Sequence, residues 1–248
     1  MVGQSGGRAS TSFTAASPSF SRRPDVYSNP PLSPRITPYL GISQKLFYKL
    51  MGRNPDDDQI DDRITTNNFE VSIDEVSQSA LFPEIAMLNH ECRPNAAYFF
   101  DEQTMTHFIH ATRPIYPGEE ITITYINNED VREQRMKTLL RNWGFTCSCS
   151  TCTAHSAIVA ESDARLGQIT TLQEILNDYS EKSQASVEVA ELLISLYKLE
   201  RLDASMGTAY QYAAEAYSSF GMKWEAIKYA RLSIDMGMLE KGCLLYTS

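Results

Sequence analysis

Three cysteines within six residues constrain this chain more than any other feature. Cys147, Cys149 and Cys152 read C-x-C-x-x-C. Thiols this close cannot all pair with one another, whereas a tight loop can turn three sulfurs onto one face of a tetrahedral ion at about 2.3 Å. Zinc is the expected ion, and its fourth ligand must come from elsewhere. Cys92, Cys243 and a histidine are the choices, with His155 the local one, and spacing alone leaves the choice open. The metal reading suits the rest of the chain. Its start has no charged segment followed by an apolar run, so an intracellular protein of nucleus or cytoplasm is expected. In a reducing compartment clustered cysteines serve as metal ligands more often than as disulfides. No run of about 18 apolar residues occurs, so no membrane span is expected. The net charge of −9 argues against nucleic acid as principal ligand and is compatible with a basic peptide, though solubility is the simpler reason for it.

The chain divides by pattern. Residues 1–38 are rich in Ser, Gly and Pro, including Pro24, Pro30, Pro31, Pro34 and Pro38, and are expected to be disordered. Apolar spacing predicts a short helix over Thr37–Met51 that ends at Gly52. Asn54–Asp62 reads as a solvated acidic loop, since it lacks the glycine and terminal glutamate of a calcium loop. Strands are predicted at Phe69–Ile73, Tyr98–Phe100, His107–His110 and Glu120–Tyr125. Met136, Leu139, Leu140 and Trp143 then mark a helix over 130–142 that stops at Gly144. Beyond Cys152 the pattern is helical. Leu166, Ile169, Leu172 and Leu176 mark one helix, and Leu192, Leu193, Leu196 and Tyr197 mark another. Residues 207–237 predict a helical hairpin turning at Gly221, with Ala213 and Ala214 facing Tyr210, Tyr217 and Trp224, like one tetratricopeptide-type unit. Cys243 stands alone and receives no role. The fold class is α+β, with small sheets over 39–152 and an all-α region over 153–248.

Residues 88–95 read LNHECRPN, which fits no regular core strand. Taken singly, Asn89 is a turn former and His90 a satisfied core histidine. Two further motifs follow in order, GEEITITY at Gly118–Tyr125 and WGFTCSCSTC at Trp143–Cys152. The ordered set N-H-x-C-x-P-N, G-E-E-x-x-x-x-Y and F-x-C-x-C-x-x-C resembles the C-terminal half of a SET domain with its post-SET cysteines, most like the SMYD type and SMYD-like fungal proteins. The resemblance covers about Thr65–Cys152 well and Ser156–Gly237 loosely.

That resemblance implies small sheets with a knot-like crossing and S-adenosylmethionine-dependent methylation of a protein lysine, histone or non-histone. Asn89 and His90 match the pair that contacts the cofactor. Tyr125 matches the tyrosine at the methyl-transfer channel, and Phe145 the aromatic that packs on the cofactor or channel. Cys92 matches the upstream metal ligand, joining Cys147, Cys149 and Cys152. The chemistry suits these residue types, because methyl transfer to an amine needs in-line alignment and exclusion of water more than acid–base groups. The target lysine starts near pKa 10.4, and an apolar channel beside a cationic cofactor eases its deprotonation. Tyr125 is therefore expected to act first by position and electrostatics, and Asn89, His90, Tyr125 and Phe145 to bind the cofactor. The chain departs from the family in three places. Its only early glycine run is GQSGG at Gly3–Gly7, no further C-x-x-C pairs supply a MYND insert, and Trp143 stands where many SMYD-type sequences have tyrosine. The sequence thus reads as a SET domain without its N-terminal third. Two alternatives follow: a catalytically inactive SET-derived module whose helices bind a partner protein, and a zinc-stabilised nucleic-acid binder, which the acidic balance disfavours.

Overall fold

Asp58 starts the first helix whose whole length is described. Its carboxylate accepts from the backbone N–H groups of Ile60 and Asp61 at 2.8 and 3.2 Å, which satisfies donors that a helix start leaves free. Helix α1, Gln59–Asn67, follows, with Asp61 and Asp62 in its first turn where negative charge suits the helix dipole. The acidic loop expected over Asn54–Asp62 is therefore half helix. The computed structural model describes residues 44–54, 56 and 58–241, all within one packed unit. The readings for residues 1–38, Gly3–Gly7 and Cys243 lie outside the described residues. Of the helix expected up to Gly52, the described part is a helical turn at 44–47.

Three two-stranded sheets come next. Strands β1 (Asn68–Ile73) and β2 (Val76–Leu81) form an antiparallel hairpin in which Ile73 faces Val76. Its two turn residues, Asp74 and Glu75, have φ of 48° and 63°, as a tight two-residue hairpin turn with matched twist requires. The sequence pattern missed β2, because VSQSAL offers little alternation. Strand β3 is the pair Asn89–His90, which runs parallel to β6, Thr122–Ile123. The strand expected over Glu120–Tyr125 is thus only two residues long, since its partner is no longer. Strands β4 (Ala96–Asp101) and β5 (Thr106–Ala111) form the second hairpin, with Tyr98 opposite Ile109. Phe69 and Phe82 join the hairpins through edge contacts, Phe69 with Tyr98 at 5.5 Å and Phe82 with His107 at 4.3 Å between ring centroids. Buried Asn95 pins β6 from outside: its amide donates to the Glu120 carbonyl at 2.8 Å and accepts from the Thr122 N–H at 2.9 Å.

Helix α2 (Arg132–Trp143) ends at Gly144, whose φ of 74° is the left-handed stop that favours glycine. Leu139 is buried under α2 while Leu140 faces solvent. Helices α3 (Ser156–Leu176), α4 (Val187–Leu199), α5 (Met206–Ser219) and α6 (Lys223–Lys241) then form the all-α region. Leu166, Ile169, Leu172 and Leu176 meet Leu193, Leu196 and Tyr197 in its core, as their spacing predicts. Two assignments fail there. Leu192 lies on the open side of α4, and Trp224 is 75% exposed, because only one face of each helix is covered. Ala209, Ala213 and Ala216 let α5 and α6 approach closely. Glu191 ties Tyr217 and Tyr229, which donate to the same carboxylate oxygen at 2.9 and 2.5 Å. Helix α6 also packs on the β4–β5 hairpin.

One buried ion network joins the sheets to the helices. Arg93 and Glu200 side chains are 2% and 4% exposed and pair at 2.8 Å. Arg93 Nη1 also donates to the carbonyls of Cys92 and Asn128, while Arg165 and Ser162 donate to the Glu200 carboxylate at 2.6 and 2.7 Å. Burial pushes the Glu200 carboxyl up, yet Ser162, Arg93 and Arg165 outweigh it and hold the group below its usual value. No helix among the described residues is long and apolar enough to cross a membrane.

Candidate metal centre and adjoining cavity

The loop after Gly144 folds back on itself. The N–H groups of Cys152 and Thr153 both donate to the Cys149 carbonyl at 3.0 Å, turning the three thiols the same way. Cys92 arrives from the loop after β3, and the four sulfurs lie within 4.8 Å of one another. Cys92 Sγ is 3.5 Å from Cys152 Sγ and 3.9 Å from Cys147 Sγ. Tetrahedral zinc–thiolate geometry places sulfurs about 3.8 Å apart, whereas a disulfide needs about 2.05 Å. The donor set therefore fits a tetrahedral metal ion. The sulfurs share protons unevenly. Hydrogen bonding with Cys147 pushes the Cys92 thiol up, and hydrogen bonding from Cys147 pulls Cys149 down and Cys152 to about 6. A divalent ion would replace those shared protons. His155 is not in the group; its Nδ1 accepts from Ala157 N–H at 3.3 Å and caps α3.

Two side chains support the sulfurs. Arg135, only 1% exposed, sits in α2 with its guanidinium beside Cys92 and Cys152 and donates to the Asp130 carbonyl at 2.5 Å. Its positive charge offsets part of the negative charge that four thiolates leave around a divalent ion. His90 lies between the metal loop and Tyr125. Its Nδ1 accepts from the Tyr125 N–H at 3.1 Å, which puts the ring proton on Nε2, 3.4 Å from Cys92 Sγ. Burial first of all holds His90 at a pKa of about 4, so the ring is neutral. Burial likewise pushes Glu91 up to about 7.

On the far side of His90 lies a cavity of about 580 Å³, with Asn89, Tyr98, Tyr125, Trp143 and Phe145 in its wall. Tyr125 donates its hydroxyl to the Leu88 carbonyl at 2.5 Å, and its ring lies 5.2 Å from Trp143 and 6.5 Å from Phe145 between centroids. Burial pushes its phenol up, so the hydroxyl stays protonated. Trp143 is fixed by donating to the Thr66 carbonyl at 3.1 Å. Asn89 reaches the cavity edge while its amide donates to Glu120 at 2.6 Å. Three of the four residues expected to bind a cofactor thus line one space. His90 stands behind them and connects that wall to the metal sulfurs. A smaller cavity of about 360 Å³, bounded by Ala96, Ala97, Ala204 and Ser205, shares only Tyr98 and Tyr125 with the larger one. A separate polar hollow beside Asp58, Asp61 and Asp62 contains none of these groups.

Sequence reasoning missed Tyr98, Arg135 and the Arg93–Glu200 pair. Tyr98 was legible only as a strand residue, and buried arginines carry no periodic signature.

Comparison with known proteins agrees with this geometry. Residues 19–126 match the SET domain family. The histone-lysine N-methyltransferase set5 of Schizosaccharomyces pombe is 31% identical over 134 residues, which cover 51% of this chain and 39% of that protein. The N-lysine methyltransferase SMYD2 of Bos taurus is 32% identical over 105 residues, covering 42% of this chain and 24% of its own length. Human SMYD2 matches over the same extent at 32%. The chain therefore spans well under half the length of these relatives. With the match ending one residue past Tyr125 and the four sulfurs gathered behind it, residues 19–126 are similar to the SET domains of the set5 and SMYD-family methyltransferases, and the cysteine cluster is like a post-SET metal site.

Proposed function

We propose that the protein transfers a methyl group from S-adenosylmethionine to the side-chain amine of a protein lysine. The observation that carries this reading is that two separate cavities share Tyr98 and Tyr125 in their walls. One space is large enough for a nucleoside cofactor, and the smaller offers a separate approach for a lysine side chain between β4 and the turn before α5. When bound, the cofactor supplies an electrophilic methyl on a sulfonium. The chain's own residues position and desolvate the amine. The Tyr125 hydroxyl spends its proton on Leu88 and keeps oxygen lone pairs to accept from an amine N–H. The rings of Trp143 and Phe145 exclude water, which favours the neutral amine over the ammonium ion.

The same reading gives the finer assignments. Zinc is the ion for Cys92, Cys147, Cys149 and Cys152, since four thiolates suit it. Asn89, His90, Tyr125 and Phe145 are the cofactor-binding set, and Tyr125 the catalytic residue. The parallel β3–β6 pairing, spanning over thirty residues of sequence, supports a knot-like crossing. The α5–α6 hairpin supports a tetratricopeptide-like surface for a protein partner, and 39–152 and 153–248 are the two functional parts of a SMYD-type protein that works inside the cell, in nucleus or cytoplasm.

A second reading, an inactive SET-derived interaction module, draws support from Asn89, whose amide is engaged by Glu120. Transfer of labelled methyl to lysine-containing histone and peptide mixtures separates the two. Tyr125→Phe is expected to lower kcat about tenfold with little change in cofactor affinity, the worth of one hydrogen bond to a charged or reacting group. Absence of both cofactor binding and transfer in the unaltered chain would leave the module reading standing.

A further inference from the structure

The smaller cavity is a joint between two parts of the chain. Thr124, Tyr125 and Ile126 form one wall, just after β6, and Ala204 and Ser205 form another, in the turn before α5. Neither wall lies in a strand or in one of the long helices, so hydrogen bonds from elsewhere fix them. The turn that continues the first wall is closed on itself: Asn127 Oδ1 accepts from the Glu129 N–H, and Asn127 Nδ2 donates to Asp130, both at 3.1 Å. Two clamps then tie this turn to the helical region. The Asn128 carbonyl accepts from Arg93 at 2.9 Å, and the Asn128 side chain accepts from the Ser205 hydroxyl at 3.3 Å, which joins the two walls directly. One residue on, the Glu129 carboxylate uses both of its oxygens. Oε1 accepts from the Tyr197 hydroxyl at 2.7 Å and Oε2 from the Gln173 amide at 3.1 Å, and the same amide donates to the Tyr197 oxygen at 2.8 Å. Gln173 and Tyr197 stand on the packed helices α3 and α4, and Tyr197 is fully buried. Burial first, then the Glu129 charge, push its phenol up, so it stays the donor.

Glu129 lies four positions beyond Tyr125, and both of its bonds end on a carboxylate, which makes them stronger than neutral pairs. We infer that Glu129 is a positioning residue for the reacting amine: clamped by Tyr197 and Gln173, it fixes the loop after Tyr125 and with it one wall of the smaller cavity. The inference rests on the methyltransferase reading and deepens it, because it makes the helical region part of the working site. Two side chains of the helices, far from all three sequence motifs, then set where residues 124–128 stand. In-line transfer is sensitive to such placement, since a shift of about 1 Å can cost about a hundredfold in rate.

Removing one hydroxyl tests this. Tyr197→Phe keeps the buried ring and deletes only the donor to Glu129. In the full chain, at a temperature where parent and variant are both folded, it is expected to speed amide exchange at 124–130 and to lower methyl turnover on the histone and peptide mixtures about tenfold. Its affinity for S-adenosylmethionine, read by calorimetry, should stay at the parent value. Glu129→Ala should match it or exceed it, and Glu129→Gln, which keeps one acceptor, should recover part of the loss. Leu193→Ala is the control for stability, because it weakens the same helix without touching Glu129; it should keep parent turnover while folded. Turnover that falls as far in Leu193→Ala as in Tyr197→Phe would overturn the positioning role and leave a structural one. Unchanged exchange at 124–130 in Tyr197→Phe would overturn it too, with the methyltransferase reading untouched. A parent that transfers no methyl would overturn that reading and the role built on it, whereas faster exchange in Tyr197→Phe would still show the clamp itself to be real.

Discussion

The segment from Asn68 to Cys152 and the helices from Ser156 onward solve the problem of holding a chain together in different ways. The helical region has fifteen buried residues in one apolar cluster. The earlier segment has two small clusters of four and three, and one of them consists of Leu139 and three cysteines. Its strands pair only in twos, and two of them are two residues long. Apolar burial at roughly 25 cal/mol per Å² therefore supports the helices, whereas the earlier segment depends on discrete cross-links: a metal-type sulfur cluster, the Asn95 amide and the Arg113–Glu119 contact. A distributed core loses stability gradually. A cross-linked loop fails at particular atoms.

The comparison breaks most readily at the metal. Cys92→Ser should abolish metal retention, measured by plasma emission on the purified protein, and should raise amide exchange across residues 88–95 and 145–152 while α3–α6 stay protected. His155→Ala should leave metal content unchanged, because that ring caps a helix; a parallel loss of metal in this variant would contradict the four-cysteine assignment. In the helical core, Leu193→Ala should cost about 3 kcal/mol in urea unfolding, a typical price for a buried leucine, with metal content intact. Coincident loss of metal would show that the two regions do not fail separately. The smallest effect is acid opening of the 113–120 loop. Arg113 first, then Asn95 and the Tyr116 N–H, hold the Glu119 carboxyl at about 2. A folded-state pKa below the unfolded one gives stability that is present above about pH 4.5 and is lost as pH falls toward 2. Limited proteolysis of the loop across that window should show it opening, and Glu119→Gln should flatten the response.

The same contrast explains what could be read from the chain. Leu166, Ile169, Leu172 and Leu176 announced their helix because a distributed core repeats with the helical period. Trp224 misled, since a large aromatic on a helix is not thereby covered. In the segment before the helices the motifs, rather than periodicity, gathered Cys92 with the later cysteines and Asn89 with Tyr125 and Phe145. Helix α1 was hidden by its run of aspartates, which looks like a solvated loop until Asp58 is seen to cap it. Arg135, Arg93 and Glu200 look like surface residues in any window. Their burial depends on partners that only the folded chain supplies, 107 residues apart in the case of Arg93 and Glu200.

That last pair has a consequence for recombination between relatives. A chimera joined after Cys152 would bring Arg93 from one parent and Glu200, Arg165 and Ser162 from another. Where the second parent placed an apolar residue at Glu200, the guanidinium would be sealed in without a counter-charge, which costs several kcal/mol. The two halves would therefore have to be exchanged as a set, because a cut at the apparent domain boundary would split the electrostatic lock that joins them.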